Sequence, residues 1–182
     1  MAKQFDRMSD ALQRFVGRQR IFFAASATAD SRVNVSPRDT RHLRVVDDRT
    51  VLWLDMVGSG SETAAHLKAD GRLTLMFCAF DGPPMILRLY GRGTSLVRST
   101  PDYEASLDAH FGGEAPGNAR QIVRLDADLV QTSCGYSVPL FDFAGDRTVL
   151  DDWAARRSPE EIDAYIAEKN AASMDGLPTD LR

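Results

Sequence analysis

Residues 51–77 constrain the fold more than any other stretch of the chain. Val51, Leu52, Trp53 and Leu54 form an apolar, strand-favouring run, and Leu73, Thr74, Leu75, Met76 and Phe77 form another. Between them, Gly58-Ser59-Gly60-Ser61-Glu62-Thr63 turns the backbone and opens a short helix. Ser59 and Glu62 stand three apart, the spacing of a capping box. The free N–H groups and small hydroxyls of such a helix start suit an anion such as a phosphate, although the same serines can simply cap the helix. Two apolar strands leave backbone edges that neighbouring strands must satisfy.

The flanking sequence supplies those neighbours. Phe5, Met8, Leu12, Phe15 and Val16 repeat at helical spacing and predict an N-terminal helix ending near Gly17. Strands are predicted over residues 21–28, 32–36 and 42–46, with turns at 29–31 and 47–50, and Pro37 is predicted to end the pairing of its strand. Asp81-Gly82-Pro83-Pro84 is a turn into a long strand over residues 85–97, in which Gly91 and Gly93 allow a bend or bulge. Thr100-Pro101 starts a helix with Tyr103 and Leu107 on one face, and residues 112–117 form a loop. The last clear strand covers residues 122–130, where Val123, Leu125, Ala127 and Leu129 alternate with polar residues.

The C-terminal part differs in kind. A short helix around Leu150 and Trp153 ends in Arg156-Arg157, and Ser158, Pro159 and Glu161 start another whose apolar face carries Ile162, Tyr165 and Ile166. Connections of hairpin length imply antiparallel neighbours, so the expected fold is mainly β with flanking α: six antiparallel strands in a small barrel. The expected organisation is one domain, with a core over residues 15–132 that includes the N-terminal helix, and a C-terminal loop and helices over 133–182 packed on the barrel.

Charge narrows the function classes. With 26 acidic against 22 basic residues the net charge is −4, a poor match for a nucleic-acid binder. Phe22-Phe23-Ala24-Ala25 is too short to span a bilayer, and Asp6 and Asp10 interrupt what a secretory leader would keep apolar, so a cytoplasmic protein is expected. Cys78 and Cys134 lack zinc-type spacing, and Cys78 continues an apolar strand as a small hydrophobe would. No motif joins either cysteine to His42, His66 or His110, and no catalytic cluster or metal site stands out.

Four segments in order resemble the pyridoxamine 5′-phosphate oxidase-like flavoproteins. They are Val33-Asn34-Val35-Ser36-Pro37-Arg38, Leu54-Asp55 with Gly58-Ser59-Gly60-Ser61-Glu62-Thr63, Arg72-Leu73-Thr74-Leu75-Met76-Phe77, and Leu87-Arg88-Leu89-Tyr90-Gly91-Arg92-Gly93. Cys134-Gly135-Tyr136-Ser137-Val138-Pro139 resembles a loop of an uncharacterised branch of that family. The resemblance implies a split β-barrel homodimer with FMN in clefts at the subunit interface and a small molecule as substrate. It assigns Asn34, Val35, Ser36 and Arg38 to the strand facing the flavin, Leu54 and Asp55 to the end of the next strand, and Ser61, Glu62 and Thr63 to the phosphate-binding helix start, where the Ser59 hydroxyl is a further cofactor-binding candidate.

Two departures accompany the resemblance. Glu62 and Thr63 stand where the family's oxidases carry adjacent basic residues, so either Glu62 folds back on the cap or the site differs, with Arg38 and Arg88 to supply positive charge. The oxidases' C-terminal Arg-x-His element is missing, so oxidation of pyridoxamine 5′-phosphate itself is not expected. The function implied is an FMN-dependent oxidoreductase; the alternative is a non-catalytic flavin carrier or sensor, or a relative binding deazaflavin or haem.

Overall fold

The structure is a computed structural model that describes residues 2–181. Eight strands and five helices follow in the order β1 (Lys3–Phe5), α1 (Asp10–Arg18), β2 (Ile21–Ser26), β3 (Asn34–Asp39), β4 (Leu43–Val45), β5 (Thr50–Met56), α2 (Glu62–Ala69), β6 (Arg72–Cys78), β7 (Ile86–Val97), α3 (Pro101–Phe111), β8 (Ala119–Ser133), α4 (Val149–Ala154) and α5 (Pro159–Lys169). The strands form one sheet in the order β3-β2-β6-β7-β8-β5-β4, with β1 added on β8. Every pairing is antiparallel. The sheet curls into a split barrel. Phe22 of β2 meets Trp53 of β5 edge-on at 5.5 Å and stacks on Phe77 of β6 at 5.8 Å, so strands from opposite ends of the sheet share one core. The curled sheet hides edges that would otherwise recruit other chains.

Eight strands are present where a six-stranded barrel was expected: seven fall on the predicted strand segments, and β1 is additional. Phe5 is not helical: it belongs to the short strand β1 and pairs with Val130, while Ser9 caps α1 by accepting from the Leu12 N–H. β3 runs through Pro37, which stands opposite Phe23. Proline is tolerated there because β3 is the last strand of the sheet and needs no donor on its outer side. The register does shift at Gly91, but the bulge is in the partner strand: Tyr90 pairs with Leu129 and Gly91 with Ala127, leaving Asp128 of β8 as the extra residue. A Cβ on Gly91 would lie 2.0 Å from the Asp126 carbonyl, so only glycine fits.

Three apolar clusters position the helices. The largest joins Phe15 and Val16 of α1 to Phe22, Trp53, Leu75 and Leu125 inside the sheet. On the other face, Tyr103 and Leu107 of α3 cover Leu52, Leu54 and Ile122. The third packs Ile162 and Ile166 of α5, with Leu181, against Val57 and Ala64 beside the start of α2. The α5 start is a full capping box, Ser158 with Glu161, with Pro159 at the first helical turn.

Candidate functional site

A cleft of about 410 Å³ opens between β3, the end of β5 and the loop into α2. Period-two alternation explains what reaches it. Asn34, Ser36 and Arg38 are half-buried, while Val33 and Val35 are exposed outside the cleft and Pro37 is an exposed residue at its rim. On β5, Val51 and Trp53 enter the main core and Asp55 follows on the same face, with no exposed surface.

Asp55 is the centre of the charge arrangement. It forms an ion pair with Arg38 Nη1 and receives Arg120 Nε at 3.0 Å and Gln121 Nε2 at 2.6 Å. Burial would raise the Asp55 pKa, but the charges of Arg120 and Arg38 and the hydrogen bonds outweigh it and hold the carboxyl below its ordinary value. Gln121 in turn receives the Ser95 hydroxyl, so the network crosses β8 to β7. Arg120, only 4% exposed, also donates to the Gly60 carbonyl at 2.8 Å, yet its Nη1 is buried without a partner, as is Arg38 Nε. A buried unpartnered guanidinium N–H beside a cleft is a ready donor for an anionic ligand.

Arg120 was not expected from the sequence. Asp55 pairs with Gln121 but Met56 with Ala119, so Arg120 is the extra residue of a bulge in β8. Alternation carried back from residues 122–130 would place it with Ile122 and Arg124 on the α3 face. The bulge re-aims it onto Asp55.

The helix start differs from expectation. Ser61, not Ser59, is the cap residue of α2, and its hydroxyl does not cap but donates to the Ala172 carbonyl at 2.7 Å. Glu62 does not fold onto a cap either: it accepts from the Met174 N–H at 3.2 Å, and the Asn170 amide donates to the Gly58 carbonyl at 2.9 Å. The C-terminal segment thus draws the Glu62 carboxylate onto a backbone donor. Thr63 lines the cleft and its Oγ1 accepts from Asn34, whose own Oδ1 accepts from Ser36.

Of the residues singled out in the sequence, Ser36, Arg38, Leu54 and Thr63 therefore line the cleft, with Asn34 and Asp55 bonded directly to liners. Val35 and Ser59 are exposed outside it, and Ser61 is turned to the C-terminal segment. Arg88 lies on β7 beside Ser133, away from this cleft. His42 lines the cleft, and burial lowers its pKa. Cys78 is buried, which raises its thiol pKa; Cys134 is exposed, and the Tyr136 N–H lowers its own. The polar end of the cleft offers guanidinium and hydroxyl donors, and Trp53, Leu54, Val57 and Leu150 supply an apolar wall. That combination and volume fit a phosphorylated planar cofactor. Among the described residues no helix is long and apolar enough to cross a membrane.

Comparison with known proteins agrees with this geometry. A protein-family model described as pyridoxamine 5′-phosphate oxidase matches residues 8–134. The pyridoxamine 5′-phosphate oxidase family protein ustO of Aspergillus flavus is 35% identical over 190 residues, covering 96% of this chain and 76% of that protein. Among solved structures, HupZ of Group A Streptococcus superposes with a TM-score of 0.52 at 15% identity, covering 67% of this chain and 91% of that one. A putative pyridoxamine 5′-phosphate oxidase of Lactobacillus delbrueckii gives 0.53 at 14% identity, covering 69% and 94%. A protein of Mesorhizobium loti described as FAD-binding gives 0.50 at 12% identity, covering 72% and 97%. At these identities the structures attest the fold, and the match over residues 8–134 with the relative in Aspergillus flavus attests the lineage: the chain belongs to the pyridoxamine 5′-phosphate oxidase family.

Proposed function

We propose that this protein is an FMN-binding oxidoreductase acting on a small molecule other than pyridoxamine 5′-phosphate. The observation that carries the reading is Arg120 at the cleft wall, buried beside Asp55 with Nη1 unpartnered. Arg38 and Arg120 would hold the cofactor phosphate, with the Thr63 hydroxyl, which accepts from Asn34 and keeps its own proton, as a further donor. Trp53, Leu54 and Leu150 would exclude water from the apolar part of the cleft. When bound, the flavin supplies the electron transfer, and the protein supplies binding, orientation and electrostatics. Asp55 then acts as a positioning residue, because it fixes both guanidinium groups and is itself fixed by Gln121.

A homodimer is part of the proposal. Val33 and Val35 are 72% and 56% exposed on and beside the terminal strand of the sheet, and a second copy would cover them. Family membership together with the FAD-binding description of the Mesorhizobium loti protein supports a flavin, and the phosphate-sized donor set supports FMN. The test is titration with FMN, read by visible absorbance and by melting temperature. A ligand that binds only the folded state must raise stability, so saturating FMN without a thermal shift would refute the reading. Light scattering of the FMN-loaded protein should return a dimer mass. Anaerobic mixing with NADH or NADPH should bleach the flavin band, and no bleaching with either donor would favour a flavin carrier. Turnover of pyridoxamine 5′-phosphate at roughly 1 s⁻¹ or more would contradict the substrate claim.

A further inference from the structure

A second cleft of about 540 Å³ lies on the other side of Asp39, between the C-terminal end of α1, the end of β6 and residues 141–147. Its apolar surface comes from Ile21 and three phenylalanines. Phe141 meets Phe80 edge-on at 5.5 Å, the Phe141 N–H donates to the Phe80 carbonyl at 2.9 Å, and the Arg20 guanidinium sits 5.1 Å over the Phe143 ring. The volume falls within the range of small-molecule sites, and the lining combines apolar and charged groups.

Eight charged residues line it. Arg41 and Asp39 pair with each other, while the exposed Arg18, Arg20, Arg147, Asp81, Asp142 and Asp146 make no ion pair among the described residues. Opposite charges on one wall usually find each other. Held apart around an aromatic floor, equal numbers of cations and anions suit a ligand that carries one charge of each sign and an apolar body. A net anion or net cation would leave one set unanswered.

The two clefts are neighbours. Asp39 lines both, and Arg41 ties Asp39 at 3.3 Å to Asp151 at 2.8 Å, next to Leu150 at the rim of the first cleft. We propose that the second cleft binds a small zwitterion, an α-amino acid with a large apolar side chain, whose body lies against Phe80, Phe141 and Phe143. This rests on the flavoprotein reading and names the substrate class that would reach the flavin past Asp39.

The test is calorimetric titration of the purified full chain, with and without saturating FMN. L-phenylalanine, L-tyrosine or L-leucine should bind saturably. N-acetyl-L-phenylalanine, which lacks the ammonium, and L-phenylalaninamide, which lacks the carboxylate, should each bind about tenfold more weakly or worse than L-phenylalanine. The double variant Arg18→Ala/Arg147→Ala, which removes two unpaired surface side chains, should weaken L-phenylalanine by about tenfold and leave L-phenylalaninamide unchanged. No saturable binding of any of the three amino acids, or equal binding of the singly charged analogues, overturns the proposal. FMN uptake is read separately by absorbance. FMN binding without amino-acid binding rejects the second cleft alone, and amino-acid binding without FMN uptake rejects the flavin reading alone.

Discussion

The wall around Asp55 and the segment over residues 134–154 place charged and aromatic groups under opposite conditions. At the wall, Asp55 and Arg120 are 0% and 4% exposed, and the Asp55 carboxylate meets three donors fixed by strand register and a bulge. In the segment, Tyr136, Leu140 and Phe141 are 81%, 75% and 62% exposed, and α4 buries no residue at all. Buried charge must be paired in fixed geometry or it destabilises the fold, so the wall is rigid by necessity. Exposed groups carry no such constraint. The difference suits the proposed division of labour, with the cofactor held by the wall and the substrate received at the exposed segment.

The largest effect that would break this contrast is at Asp55. Asp55→Asn leaves Arg38 and Arg120 without their counter-charge, and removing one partner of a buried pair costs about 3–5 kcal/mol. For a chain of this size that corresponds to a loss of roughly 6–20 °C in melting temperature. The pH dependence has a definite sign. Because the folded-state pKa of Asp55 is depressed, its contribution is present above the unfolded value of about 3.9 and is lost as pH falls through the folded value. Urea titrations below about pH 4 should therefore show wild type losing stability more steeply than Asp55→Asn. A melting temperature unchanged by the substitution would mean that the pair does not organise the wall.

The next effect is on the cofactor. A charge-assisted hydrogen bond contributes about 1.5–3 kcal/mol, so Arg38→Ala or Arg120→Ala should weaken FMN binding by roughly 10- to 150-fold. Arg120→Ala should lie at the upper end, since Arg120 is the more deeply buried of the two. Far-UV circular dichroism identifies folded samples, and Arg49→Ala in the turn before β5 is the control. If Arg120→Ala binds FMN like wild type, the phosphate is held elsewhere, and Arg88 becomes the next residue to test.

The two regions were not equally legible in the sequence. Alternation and turn residues pointed to β2, β5, β6 and β7, the caps of α3 and α5, and an irregularity at Gly91, because each is decided within a few residues. Asn34, Ser36 and Arg38 came instead from the family resemblance, which named Val35 with them, and Val35 is exposed. What was not legible depends on partners distant in sequence. Arg120 reaches Asp55 through a register shift that no local pattern reveals, and Ser61 and Glu62 turn away from the expected cap because residues 172 and 174 compete for them. β1 is three residues long and exists only because β8 extends to Ser133.

A smaller effect tests whether the C-terminal part has any firmly held element. Ser158 accepts from the Glu161 N–H and Glu161 accepts from the Ser158 N–H, so Ser158→Ala removes the hydroxyl half of the capping box and leaves Glu161 on the residue 158 N–H. The expected cost is about 0.5–2 kcal/mol. It should appear as faster amide exchange in α5 and at Ile162 and Ile166, which pack beside the α2 start. Exchange unaltered in α5 would show that packing alone holds that helix.

The smallest expected effect is at Leu150. It reaches the rim of the cofactor cleft from α4, a helix of six residues that is anchored from outside by the Arg41–Asp151 ion pair. Half-exposed pairs of that kind contribute about 0–1 kcal/mol, and a leucine 38% exposed on a helix with no buried face has little burial to lose. Leu150→Ala should therefore change global stability by no more than about 0.5 kcal/mol in urea unfolding, the range of ordinary surface substitutions. A loss of about 2 kcal/mol or more would place Leu150 among core residues. The segment would then be held as firmly as the wall, and the adaptable surface would have to be sought away from α4.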